Sequence, residues 1–182
     1  KAGELYAVIP VPTEGAEVIV NGDFELNSDW SNFGTPTTSE QSNEQSHTGT
    51  YSWKIIADAT QEGIFSPNNF SLTSGLRYTV SLWIYSVSGD SIKSGLNNTD
   101  VSVFTERTVI AGQWTNITYE ATATSTGASY ISILSQNSLN FYVDNVSLKE
   151  YTSADMDVTR ATDATRVDEN GLVNYAEVLG GE

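Results

Sequence analysis

The sequence predicts an all-β fold, a jelly-roll β-sandwich with a small β extension formed by the two termini. Three observations carry this expectation. Short runs rich in Val, Ile, Thr and Tyr recur along the chain, each bounded by Gly, Ser or Asn. Several of them alternate apolar and polar residues with the period of two that a half-buried strand requires. No segment shows a helical period, and roughly eight or nine strands at short spacing point to two packed sheets. A jelly roll limits the exposed edges that such sheets would otherwise present.

Residues 1–16 hold one apolar run, Leu5–Ile9, closed by Pro10 and Pro12, and read as an extended segment. Val18–Glu25 opens the sandwich, which is expected to span residues 17–150. Asn27–Gly34 reads as a loop anchored by Trp30 and Phe33, and residues 35–49 as a polar stretch ending in the turn His47-Thr48-Gly49. Thr50–Ala57 alternates Tyr51, Trp53 and Ile55 against Ser52, Lys54 and Ile56. Gly63–Leu72 is strand-like but broken by Pro67-Asn68-Asn69. Arg77–Val87 carries the clearest pattern, with Tyr78, Val80, Leu82 and Ile84 facing one way and Thr79, Ser81, Trp83 and Tyr85 the other. Val101–Val109, Trp114–Ala123, Ser129–Ser135 and Asn140–Glu150 complete the set. Residues 151–182 are acidic and poor in large apolar residues. Within them Ala164–Val173 reads as a β-hairpin around Asn170-Gly171, a pair that supplies the positive φ angles of a tight turn. Its apolar side needs a partner, and Leu5–Ile9 is the best one in the chain.

Composition narrows the partners. At 182 residues the chain can bury a substantial core in one domain with extensions. A formal net charge of −15 disfavours nucleic acid and anionic membranes, which would repel it. The same charge suits a cation or a neutral ligand such as a sugar. The absence of cysteine removes a disulfide framework, a zinc–thiolate site and a thiol nucleophile. No apolar run approaches the length of a membrane span. A chain that begins at Lys1 is expected to be a processed product, an excised domain or part of something longer.

Two acidic runs bracket most of the chain, Val18–Glu25 and Asn140–Leu148. If the first and last strands of a sandwich lie side by side, Glu25 and Asp144 converge. Two adjacent carboxylates repel unless a cation or a proton sits between them. Neither run contains His or Cys, so the ligands are oxygens and Ca²⁺ is the natural ion. The alternative is a solvated Glu25 and an Asp144 that bonds a turn. Catalysis finds little support: His47 is the only histidine, it lies in a polar loop, and no carboxylate is marked as its orienting partner. A sugar site needs an aromatic platform with polar residues around it. Trp83 and Tyr85, on the polar face of the strongest strand, are candidates, with Phe104 and Tyr119 behind them. Trp30, Trp53 and Trp114 are assigned to the core.

The ordered set Asn21-Gly22-Asp23-Phe24-Glu25, Trp30, His47–Trp53, Tyr78–Tyr85, Gln113–Ile117 and Tyr142–Leu148 resembles the carbohydrate-binding modules of families four, nine, sixteen and twenty-two. That resemblance implies a jelly roll holding a structural Ca²⁺ by the side chains of Glu25 and Asp144 and the carbonyls of Asp23 and Thr50. It also implies a glycan partner and no catalytic residue. Relatives that bind xylan or glucan often carry an exposed aromatic where Gly63 stands here. The ends of the chain, Lys1–Pro10 and Asp157–Val173, resemble segments of bacteriophage tail and virion proteins. This second likeness implies a sandwich inserted into a virion β module of a tail fibre, spike or capsid decoration, with other virion subunits or copies of itself as partners. The competing expectations are a module of a secreted polysaccharide-degrading enzyme and a structural spacer that binds no sugar.

Overall fold

The computed structural model describes residues 13–67, 70–152, 164–167 and 173–176, and every regular element among them is a β-strand. The chain divides into two units, Pro12–Thr152 and a second made of Lys1–Val11 with Ser153–Glu182. Pro12–Thr152 is the jelly-roll sandwich.

One sheet is built from β1 (Thr13–Glu17), β3 (Thr38–Ser42), β4 (Ser52–Ala57), β7 (Arg77–Ser86), β10 (Trp114–Thr122) and β13 (Leu139–Thr152). Its order is β10-β7-β13-β4-β3, with β1 also paired to β13. The second sheet runs β2-β5-β12-β8-β9, from Ser31–Phe33, Gly63–Phe65, Ile131–Ser135, Asp90–Leu96 and Glu106–Val109. A short ribbon pairs β6 (Phe70–Leu72) with β11 (Gly127–Ser129). All named pairings are antiparallel, so each strand turns alternate residues inward. Tyr78, Val80, Leu82 and Ile84 of β7 meet Ile92, Leu96, Ile131 and Ile133 of the facing sheet in one core, together with Phe24, Trp30, Trp53, Ile55 and Phe141.

The alternation read along Arg77–Val87 and Thr50–Ala57 matches the observed burial of β7 and β4. The interruption expected within Gly63–Leu72 is observed, with β5 ending at Phe65 and β6 starting at Phe70. Other boundaries differ. Val18–Glu25 is not a strand: the strand is Thr13–Glu17, so the sandwich begins inside the segment expected to be an extension. The run that follows still flanks β13, through Val18 N–H to Leu148 O and Val146 N–H to Gly22 O. It cannot remain extended because Asn21 and Phe24 both take positive φ. Strand β3 lies in the polar stretch 35–49, to which no strand is assigned from sequence, because an edge strand facing solvent needs few apolar residues. Of Val101–Val109 only Glu106–Val109 is strand.

In the other unit β14 (Ala164–Val167) pairs antiparallel with β15 (Val173–Ala176), Val167 opposite Val173. The Asn170-Gly171 turn and the expected packing of Leu5–Ile9 lie outside the described residues.

Candidate functional site

The loop between β3 and β4, residues 43–51, is clamped from two sides by carboxylates. Glu25 Oε1 accepts the main-chain N–H groups of Thr50 (2.7 Å) and Tyr51 (2.9 Å). Asp144 Oδ2 accepts those of His47 (2.7 Å) and Thr48 (3.1 Å), and its Oδ1 accepts Asn145 N–H (2.7 Å). The two acids expected to converge therefore seize adjacent parts of one loop. β13 contributes Asp144 immediately before a register shift between Asp144 and Ser147, and Asn145 has positive φ there. That bulge turns the carboxylate toward the loop.

Asp144 is fully buried. Burial raises its carboxyl above the ordinary range, against the three N–H donors from Thr48, His47 and Asn145 that favour the ionised form. Among the described residues no Lys or Arg pairs with Asp144 or Glu25. A buried carboxylate without a counter-cation suits a hard ion. No three His, Cys, Asp or Glu side chains gather into a metal cluster among the described residues, so an ion here depends on these two acids and main-chain oxygens. Asp23 and Thr50, the expected carbonyl ligands, are both exposed. Asp23 lines a surface cavity of about 360 Å³ with Glu17, Asn145 and Ser147, while Thr50 touches Glu25 through its N–H.

The four expected ligand-binding aromatics do not form one site. Tyr119 points between the sheets, where its hydroxyl meets Ser94 Oγ at 3.2 Å and the Arg107 guanidinium lies 4.0 Å from its ring centroid. Burial pushes that hydroxyl up to about 12, so it is a core residue. Phe104 belongs to the outer face of the second sheet. Trp83 does lie on the outer face of the first, but His47 stacks on it at 3.8 Å with a 17° tilt. His47 is thus a cover for an indole, fixed further by Nδ1 contacting Asn145 Nδ2 at 2.9 Å. Tyr85 lies in the same outer face with Trp114 and Tyr142 as neighbours, at ring separations of 5.8 and 6.0 Å. Trp114, assigned to the core from sequence, is instead half-buried on this face, because its position on β10 is in phase with outward-facing Asn116 and Thr118. Trp30 and Trp53 are in the core.

A second aromatic group lies on the other sheet. Phe33 meets Phe65 and Phe104, each at 6.2 Å and nearly edge-on, and Phe65 meets Tyr130 at 5.7 Å. Phe33 and Phe65 alternate with the core residue Ile64 across β2 and β5, which places both rings on the outer face. Phe104 is 41 % exposed. Beside them Ser132 Oγ donates to Val103 O at 2.8 Å, laying the segment before β9 across the same face. Sequence reasoning missed Phe33, Phe65 and Tyr130 because each stands in a short strand or loop with no alternation to mark its side.

Solved structures show the same architecture. The N-terminal endo-1,4-β-D-xylanase 10B of Clostridium thermocellum, CBM22-1 and GH10 modules complexed with xylohexaose, superposes with a TM-score of 0.63 at 21% identity, over 75% of this chain and 29% of that one. The CBM22-1 xylan-binding domain of Paenibacillus barcinonensis Xyn10C gives 0.62 at 14% identity, over 77% and 97%. In sequence the chain is 24% identical over 162 residues to endo-1,4-beta-xylanase Y of Acetivibrio thermocellus, covering 82% of this chain but only 15% of that enzyme. Residues 16–138 match the family described as "Carbohydrate binding domain" (CBM_4_9). With the matched range spanning most of the chain and the jelly roll in place, the protein belongs to the CBM_4_9 carbohydrate-binding domain family.

Proposed function

We propose that this chain is a non-catalytic polysaccharide-binding module of a secreted polysaccharide-degrading enzyme, and that it holds a neutral glycan on the outer face of its second sheet. The observation that carries the reading is the cluster of Phe33, Phe65, Phe104 and Tyr130. Three half-buried rings beside the exposed Phe104 offer an apolar surface on which the C–H faces of a pyranose stack. The net charge of −15 favours a neutral glycan over an acidic one. The relatives named above support the enzyme setting over the virion. The virion reading rests on the terminal segments alone, and the full-length sequence separates the two.

Xylan and its oligosaccharides are the first ligands to test, by calorimetric titration. Each lost stacking ring costs about 1 kcal/mol, so a Phe33→Ala, Phe65→Ala double variant should bind on the order of 30-fold more weakly. Unchanged affinity in a folded double variant would remove this face from the reading.

A structural Ca²⁺ is part of the proposal. Glu25 and Asp144 would give the side-chain oxygens, and carbonyls such as those of Asp23 and Thr50 the remainder. The ion would supply charge compensation for the buried Asp144. An ion present at 100 times its dissociation constant adds about 2.7 kcal/mol. At about 2–4 °C per kcal/mol for a chain of this size, chelator should lower the melting midpoint by roughly 5–10 °C. A midpoint that does not move counts against the ion.

A further inference from the structure

We infer that the outer face of the first sheet is a second glycan-binding face, so that the module bridges two polysaccharide chains. This goes beyond the single face proposed above. Its basis is a row of residues in direct register across five strands. Trp114 on β10 lies opposite Tyr85 on β7, Tyr85 opposite Tyr142 on β13, Tyr142 opposite Lys54 on β4, and Lys54 opposite Glu40 on β3. Trp114 and Tyr85 are half-buried with ring centroids 5.8 Å apart, Tyr142 is buried with its ring 6.0 Å from that of Tyr85, and the Lys54–Glu44 pair closes the row. The half-buried Trp114 and Tyr85 rings are the apolar surface on which a sugar ring can stack, and the Lys54–Glu44 pair bounds it.

The row has the mixed chemistry a neutral sugar matches. Tyr85 is flanked by two other rings. The Tyr142 hydroxyl donates to Glu44 Oε2 at 2.8 Å, and Lys54 Nζ pairs with Glu44 Oε1 and sits 5.9 Å from the Tyr142 ring centroid. Asn116, outward on β10 next to Trp114, offers an amide beside the rings. Glu40 and Glu44 at the end of the row turn away acidic glycans. The loop 43–51 forms one wall, held by Glu25 and Asp144 and by the His47 stack on Trp83. The two faces belong to opposite sheets, so a chain on one leaves the other free.

The test uses the full 182-residue chain with soluble xylan and, in parallel, β-glucan and β-1,4-galactan. Titration should give two oligosaccharides per chain, and mixing with long polysaccharide should produce cross-linked, sedimenting material. A Tyr85→Thr, Trp114→Ala variant, with its melting curve as the check on folding, should bind one oligosaccharide and lose cross-linking. The Phe33→Ala, Phe65→Ala variant should do the same while keeping the other face. Single-site binding by wild type, unaltered by Tyr85→Thr, Trp114→Ala, overturns the second face and leaves the first standing. Loss of binding only with the row variant overturns the first face and shows the row acting alone, so no bridge exists. No binding to any of these glycans by wild type overturns both. If wild type sediments as a dimer that the Trp114 change dissociates, a second copy covers the row and the inference fails.

Discussion

Replacing Asp144 by alanine should destabilise the sandwich by about 4 kcal/mol and release the loop 43–51. The carboxylate accepts three main-chain N–H groups, from His47, Thr48 and Asn145. A donor left without a partner costs about 1–3 kcal/mol where water cannot reach it. The sum falls short of three full penalties because Thr48 is exposed and regains water, and because removing a buried charge returns part of its desolvation cost. Urea unfolding reads the loss, and tryptophan fluorescence reads the departure of His47 from Trp83. A change under about 1 kcal/mol would mean that Asp144 does not hold the loop.

The pH dependence supplies an independent sign. The Asp144 carboxyl titrates above its unfolded value, chiefly through burial. Its contribution to stability in chelator is therefore fully present below the unfolded value and is lost as pH rises through the raised folded value. Wild type should accordingly lose stability, relative to an Asp144→Asn variant, as pH climbs across that window. Added calcium should flatten the difference, since a bound cation favours the ionised form.

What the sequence revealed follows where physics writes itself into residue type. The inward and outward faces of β7 were legible because Tyr78, Val80, Leu82 and Ile84 alternate without a break over a long strand. Glu25 and Asp144 were legible as a pair because acids in β-prone runs are uncommon enough to need a reason. What they grip was not, since the N–H groups of His47, Thr48, Thr50 and Tyr51 belong to the main chain and leave no mark on residue identity. Strand β8 carries Ser91, Ser94 and Gly95 among its residues and so gives no strand signal in sequence, although Ile92 and Leu96 are core positions. Its small residues reflect close approach: a side chain at Gly95 would run into Ser102 O. Trp114 was misplaced because an indole is large and apolar enough to argue for the core in either phase of a strand. Only the pairing with Tyr85 decides its side.

Gly63 is the position where restoring an aromatic should fail. From sequence it is the place where an exposed ring is expected, and substitution there looks like a simple gain of a stacking surface. The local geometry forbids it. A Cβ on Gly63 would overlap the main-chain oxygen of Ile133 and press on Leu134 Cα. β5 is paired to β2 on one side and β12 on the other, with Gly63 opposite Phe33 and Leu134, so it cannot retreat without breaking a ladder. Overpacking of a side chain against yielding neighbours costs about 1–3 kcal/mol, and a rigid backbone atom raises that. Gly63→Ala should cost upwards of about 3 kcal/mol, and Gly63→Trp should prevent folding rather than add affinity. Gly112→Asn is the control: its φ of 70° is one asparagine adopts, and no atom lies within 4 Å of a Cβ there, so its cost should stay near 1 kcal/mol. A folded Gly63→Trp variant that binds xylan oligosaccharides more tightly than wild type would show that β5 can move, and that the cluster of Phe33, Phe65 and Tyr130 is not fixed by this contact.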